Sequence, residues 1–220
     1  MIVASLGVWP WDTQRDDLAG IDAVELRLDL MDASPSSLQA VVSAIAAVGQ
    51  RFIATCRPGR ASEADRVGLL CESARNGAWA VDIEIDASEA SRAAVLAAAR
   101  TFGSRVIISH HDHDRTPSRP ELDGIVRRAF DAGADLVKVA CLVLTAADQA
   151  ALLGLLDDER SAGRVAIIGM GPRGRLTRIV APLLGSPLVY VSLRKGLETA
   201  DGQPTRDELV QAWTALGERP

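Results

Sequence analysis

The sequence predicts a (β/α)8 TIM barrel, a single α/β domain spanning residues 1–220. Short runs rich in Val and Ile alternate along almost the whole chain with longer Ala/Leu-rich segments of helical period, the signature of repeated βα units. Eight such runs in 220 residues match a compact barrel, a fold that typically takes about 250 residues and can be as short as about 200. Inside several runs, charged residues recur at every second position, which a strand covered on both faces tolerates only where one face meets a shared polar interior. An open, doubly wound sheet is the alternative arrangement of the same units.

The strands are expected near residues 1–6, 23–29, 52–57, 80–85, 105–110, 136–140, 165–170 and 188–193, with helices in the gaps. Ser34 followed by Pro35 reads as an N-cap and first turn ahead of residues 38–48. Thr205, three residues before Glu208, resembles a capping box ahead of residues 208–216. No linker, low-complexity tract or longer repeat interrupts the alternation.

Composition narrows the partner. With 48% hydrophobic and 24% charged residues the chain can fill a core and is not disordered. A net charge of −5 and a pI near 5.3 do not suit a nucleic-acid groove or a face for anionic membranes. No run approaches the roughly 18 apolar residues of a membrane helix, and the N-terminus lacks a basic targeting region. A small-molecule partner and a cytoplasmic location are expected, with no nucleic acid and no membrane. Cys56, Cys71 and Cys141 are widely spaced, form no C-x-x-C pair, and read as buried thiols.

In the second run Glu25, Arg27 and Asp29 alternate with apolar residues, and in the fourth Asp82 and Glu84 do the same. Period two also turns Thr55, Arg57, Ser109, His111 and Lys138 toward the axis. One such strand alone reads as a solvated edge, but a barrel has no edge, so groups from five adjacent strands must pair inside. Lys138 stands alone in an apolar strand. Burial disfavours an ammonium, and a neutral amine is a nucleophile, so a Schiff-base lysine competes with a structural ion-pair lysine at this position.

His110, His111 and His113 cluster where the fifth strand ends, at the face where barrels build active sites. The H-x-H pair with nearby carboxylates could hold a metal, whereas one histidine beside a reactive lysine serves as general acid and base. No other histidine exists to complete a metal site, so no metal is expected; His111 is the candidate, with His110 and His113 read as non-functional. Gly169–Gly174 spells G-x-G-x-x-G, but it follows the seventh run, carries Pro172 and lacks the acid that would grip a ribose. As the seventh loop of a barrel, near Arg173, Arg175 and Arg178, it suits an anion such as a carboxylate.

Taken together, the E-x-R-x-D segment at 25–29, the Asp82/Glu84 strand, Ser109 and His111-Asp112 before Thr116-Pro117, Lys138, Met170-Gly171 through Thr177-Arg178, and Ala200-Asp201-Gly202-Gln203 resemble, in order, the motifs of type I 3-dehydroquinate dehydratases of the shikimate pathway. The resemblance covers nearly the whole chain. It implies a lyase in which Lys138 attacks the C3 ketone of 3-dehydroquinate, His111 moves the C2 proton to the departing C1 hydroxyl, and Asp82 orients His111. It further implies that Arg178 and Gln203 hold the substrate carboxylate, that Ser5, Glu25, Arg27 and Arg57 surround the rest of the ring, and that Thr199 sits on a closing loop. No cofactor is needed, because the iminium is the electron sink, and a homodimer is expected. Three positions depart from the family pattern: Ala61 replaces a glutamate near the catalytic histidine, with Glu63 two residues on as a substitute; Ile168 replaces a methionine; and Asp201 replaces a proline, adding a negative charge. Another Schiff-base lyase or aldolase, and a non-catalytic barrel that binds a shikimate-like acid, use the same residues.

Overall fold

The computed structural model describes residues 1–8, 18–31, 34–59, 61–159 and 162–218. Eight strands, β1 (Ile2–Leu6), β2 (Ala23–Arg27), β3 (Arg51–Thr55), β4 (Ala80–Glu84), β5 (Arg105–Asp112), β6 (Leu136–Leu142), β7 (Val165–Met170) and β8 (Val189–Val191), form one sheet ordered β7-β6-β5-β4-β3-β2-β1-β8. Every ladder is parallel, and β8 returns beside β1, so the sheet curls into a nearly closed barrel. Among the described residues no ladder joins β7 to β8. Ser186 bridges that seam instead, accepting the Ile167 N–H at 3.4 Å and donating to the Leu188 carbonyl at 3.2 Å.

Seven α-helices appear among the described residues: α1 (Pro35–Ala47), α2 (Glu63–Arg75), α3 (Glu89–Phe102), α4 (Arg119–Asp131), α5 (Ala146–Gly154), α6 (Arg175–Val180) and α7 (Arg206–Ala215). The helix expected after β1 would fall on residues 9–17, outside the described residues. Starts are set by short polar caps: Ser34, Ser62, Ser88, Thr145 and Thr205 each accept a first-turn N–H, and Glu208 returns a bond to the Thr205 N–H as expected. No helix among the described residues is long and apolar enough to cross a membrane.

The period-two reading holds around the barrel. Ladders match inward residue with inward residue, as in Val3 with Ala23, Ser5 with Glu25, Asp82 with Ile107 and Ser109 with Lys138. The inward side chains nearest the strand starts are apolar and fill the barrel floor: Val3, Ala23, Ile53, Ala80, Ile107, Leu136 and Ala166. The alternate residues, among them Val24, Leu26, Val81, Ile83, Val106, Ile108, Val137 and Val139, face the helices and pack with Leu38, Leu70, Val95, Leu122 and Leu152. A dry floor and a dry outer layer leave one place for polar groups, above the floor at the C-terminal ends of the strands.

Strand limits differ from expectation at that end. β5 runs on through His111 and Asp112, paired with Ala140 and Cys141, and β6 runs on to Leu142, paired with Met170. On β5 the apolar run ends at Ile108 while the ladder continues through the polar residues of the site, whereas on β6 Cys141 and Leu142 are apolar and continue both. β8 is shorter than expected, since Ser192 leaves to bridge Thr205. Cys56 and Cys141 are buried thiols, but Cys71 is partly exposed, packed against the core where α2 meets α3 with its Sγ 3.8 Å from the Ala94 carbonyl.

Candidate active site

Lys138 lies mid-strand on β6, only 3% exposed. Its Nζ is 2.7 Å from Asp82 Oδ2, 3.5 Å from Glu25 Oε1 and 4.5 Å from the centre of the Tyr190 ring. Glu25 is fixed in turn by Ser5 Oγ, which donates to Oε2 at 2.7 Å, and by Thr55 Oγ1, which donates to Oε1 at 2.8 Å. Burial opposes the Glu25 charge, yet Lys138 and the two nearby arginines outweigh it and hold the carboxyl below its ordinary range. Ser5 therefore serves Glu25, and Glu25 serves the lysine.

Arg57 ties the next layer together. Its Nη1 donates to Ser109 Oγ at 2.7 Å, Glu84 Oε1 at 2.8 Å and Asp82 Oδ1 at 3.1 Å, and its Nη2 donates to Asp82 Oδ2 at 2.8 Å. Both nitrogens are thus occupied by protein acceptors, so Arg57 acts here as the clamp of two carboxylates. Arg27 forks Asp29, with bonds of 3.0 and 2.6 Å, and its Nη1 reaches the Thr199 carbonyl at 3.2 Å.

One expected role moves. His111 is oriented by Glu84, not by Asp82: its Nδ1 is 3.3 Å from Glu84 Oε2, whereas the Asp82 carboxylate, two residues deeper on β4, meets Lys138, Ser109 and Arg57. Burial opposes the Glu84 charge too, but the bond to His111 and the Arg57 charge hold its carboxyl at about 2. An ionised carboxylate only accepts, so Nδ1 carries the proton and Nε2 keeps its lone pair. Burial, reinforced by the positive charges of Arg57 and Lys138, pushes the imidazole down to about 4, which makes His111 a neutral base near pH 7. Asp112 shapes the loop that follows. Its Oδ1 accepts the N–H groups of Asp114 and Arg115, and Thr116 Oγ1 donates to the Leu142 carbonyl at 2.7 Å.

Opposite β5, the Gly-rich turn after β7 is a packing device. A Cβ on Gly174 would fall on the Gly169 carbonyl, while Thr177 Oγ1 accepts the Gly169 N–H at 2.9 Å and donates to the Gly174 carbonyl at 2.7 Å. That contact lays α6 against β7 and sends Arg178 inward, 3% exposed, with Nε donating to the Gly169 carbonyl at 2.8 Å and Nη2 to the Asp201 carbonyl at 3.2 Å. Among the described residues no carboxylate lies within salt-bridge distance of it. Burial accordingly pushes this guanidinium down to about 10. Gln203 is buried beside it; its Oε1 accepts the Thr199 N–H at 2.8 Å, and among the described residues no bond occupies its Nε2. These groups line a cavity of about 980 Å3 above the barrel floor. Among the described residues no three His, Cys, Asp or Glu side chains converge as metal ligands, and the His111 and His113 rings stack at 6.2 Å.

Residues 12–220 match the family model described as type I 3-dehydroquinase. The 3-dehydroquinate dehydratase of Methanosarcina mazei is 37% identical over 208 residues, covering 90% of this chain and 86% of that protein. The chain belongs to the type I 3-dehydroquinase family. The 3-dehydroquinate dehydratase of Dehalococcoides mccartyi strain 195 is 33% identical over 198 residues, covering 87% of this chain and 85% of that one. The crystal structure of the 3-dehydroquinate dehydratase of Aquifex aeolicus superposes with a TM-score of 0.83 at 26% identity, covering 98% of each chain.

As a type I 3-dehydroquinase the chain has its own features. Ala61 lines the cavity mouth, and Glu63 does not turn to the histidine: its Oε1 accepts the Ser88 N–H at 2.9 Å, joining α2 to the start of α3. Ile168 lines the cavity, and Asp201 is exposed on its rim. Three contributors escaped the sequence reading. Glu84 was not assigned as the partner of His111. Tyr190, with a buried hydroxyl that has no partner, was hidden in an apolar run although period two turns it inward. Arg66 lies on a helix whose pattern gives no sign that it faces the cavity.

Proposed function

We propose that the chain dehydrates 3-dehydroquinate to 3-dehydroshikimate through an imine on Lys138. The observation that carries this reading is the juxtaposition, in one cavity at the C-terminal ends of the strands, of a lysine held between Asp82 and Glu25 and a neutral histidine with a free Nε2. The Lys138 amine adds to the C3 carbonyl carbon and the oxygen leaves as water, forming the iminium. His111 Nε2 takes the C2 proton, the electron pair moves into the iminium, and the resulting enamine expels the C1 hydroxyl, which leaves as water with the proton returned by His111. Water then hydrolyses the product imine and frees the amine. Electrons and atoms balance without an oxidant or a cofactor.

Arg178 and Gln203 form the seat for the substrate carboxylate. A buried guanidinium without a counter-ion gains a charge-assisted, bidentate partner when an acid enters, and Gln203 Nε2 offers a further donor. Arg27 ties the Thr199 carbonyl to β2, so the loop that brings Gln203 is anchored to the same barrel as the lysine.

The test is ultraviolet absorbance after mixing the protein with 3-dehydroquinate. The conjugated enone of the product absorbs where the substrate does not. Growth of that band in wild type and its loss in Lys138→Ala and His111→Ala supports dehydration, while a flat trace from folded wild-type protein overturns it.

A further inference from the structure

Among the described residues, two guanidinium groups lining the cavity have no carboxylate within ion-pair distance: Arg178 and Arg66. Arg178 is accounted for by a substrate carboxylate. Arg66 is not. It stands in the first turn of α2, is 8% exposed, and its buried Nε has no hydrogen-bond partner among the described residues. A buried guanidinium N–H left without an acceptor is costly, and Arg66 lines the cavity where an oxyanion could supply one. Beside it on the cavity wall lie Pro58, Gly59 and Ala61, the last at the position where the family pattern has a glutamate.

None of the neighbouring acids takes the role of counter-ion. The Glu63 carboxylate, three residues back, lines the same cavity and feels the Arg66 charge, but it is bound to the Ser88 N–H at 2.9 Å and makes no ion pair with Arg66. Asp86 lines the same rim but is exposed and makes no ion pair with Arg66. Cys56, close enough to feel the Arg66 charge, is pushed up to about 11, chiefly by burial, and so stays a neutral thiol. Helical side chains lean toward the N-terminus of their helix, so the guanidinium inclines to the end of α2 where first-turn N–H groups carry partial positive charge. The cavity, at about 980 Å3, is at the upper end of the range for drug-sized ligands and exceeds what one six-membered-ring acid fills.

We propose that Arg66 is the centre of a second anion site, on the β3/α2 side of the cavity mouth, that takes a phosphate-sized oxyanion while the substrate carboxylate occupies Arg178. The site is separate from the dehydration chemistry and is read without turnover. Inorganic phosphate is titrated calorimetrically, at low ionic strength, into Arg178→Gln protein, where only the Arg66 site remains, and into the Arg66→Gln/Arg178→Gln double variant. Saturable binding with a Kd on the order of 1 mM is expected in the first, and at least a ~10-fold loss in the second. Equal binding by the two proteins, or none in Arg178→Gln below about 50 mM phosphate, overturns the site. Melting curves supply a second readout. Because Arg66→Gln removes an uncompensated charge, the double variant is expected to melt no lower than Arg178→Gln without phosphate, and only Arg178→Gln is expected to melt higher with it. A double variant that melts lower in phosphate-free buffer shows that Arg66 is already satisfied, and overturns the premise.

Discussion

Glu84→Gln isolates the contact that orients His111 for its proposed role as the base. The substitution keeps the shape of the side chain and leaves an oxygen that can still accept from Arg57, but it removes the carboxylate from His111 Nδ1–H. A hydrogen bond to a charged acceptor is worth about 1.5–3 kcal/mol, and the 3.3 Å length here points to the lower end, so the plateau of kcat/KM is expected to fall about tenfold. The pH profile carries a second signature. In the proposed mechanism His111 must be neutral to take the C2 proton, so activity is expected to fall as pH drops through its pKa of about 4. The bond to Glu84 raises that pKa against burial and the Arg57 charge; without it the acid limb moves to lower pH. The assay is the enone absorbance measured from pH 3.5 to 8. A plateau within twofold of wild type, or an acid limb that moves up, refutes the assignment. A limb that moves in Asp82→Asn but not in Glu84→Gln restores Asp82 as the orienting residue.

Acid stability follows from the same groups. Below pH 6.5 the unfolded chain protonates His111 while the folded chain refuses the proton until about 4, so stability falls on acidification across that window by on the order of 3 kcal/mol; urea midpoints should flatten there in His111→Asn. Glu84, held at about 2, adds stability above pH 4.5 that disappears as pH falls through 2, steepening the loss at the acid end. Gly174→Ala forces a Cβ onto the Gly169 carbonyl and is expected to cost about 1–3 kcal/mol or more in thermal unfolding and to raise KM through Arg178. Asp201→Asn removes a rim charge near Arg178 and is expected to lower KM severalfold at low salt with kcat unchanged, an effect that 0.5 M salt should erase.

The barrel was legible because period-two charge inside apolar runs has one reading when the strands close on themselves. Glu25, Arg27, Arg57, Ser109, His111 and Lys138 all turn inward as that parity requires. Depth along the axis was not legible. Asp82 and Glu84 are both acidic, both inward and two residues apart, and register does not separate their roles, since it sets Glu84 level with Ser109 and Lys138; only the side-chain contacts do, Asp82 Oδ2 meeting Lys138 Nζ at 2.7 Å and Glu84 Oε2 meeting His111 Nδ1 at 3.3 Å. The end of β5 was missed for a related reason, since the polar residues that make the site also end its hydrophobic signal; the last residues of β6, Cys141 and Leu142, are apolar and carried no such break. Arg178 rested on motif resemblance, because its inward course depends on the Gly169–Gly174 contact, which no local pattern reveals. Arg66 illustrates the limit most plainly: a helix with an ordinary polar pattern carries an arginine that lines the cavity and whose buried Nε has no partner among the described residues.

The most direct measurement is chemical trapping of the imine. Protein mixed with 3-dehydroquinate is reduced with sodium borohydride, digested and mapped by mass spectrometry. A reduced ligand on the peptide carrying Lys138, absent in Lys138→Ala and accumulating in His111→Ala, is the result that a lysine imine followed by histidine proton transfer requires. Enone formation from wild-type protein with no adduct on Lys138, or an adduct on Lys195, the other lysine in the chain, would contradict it.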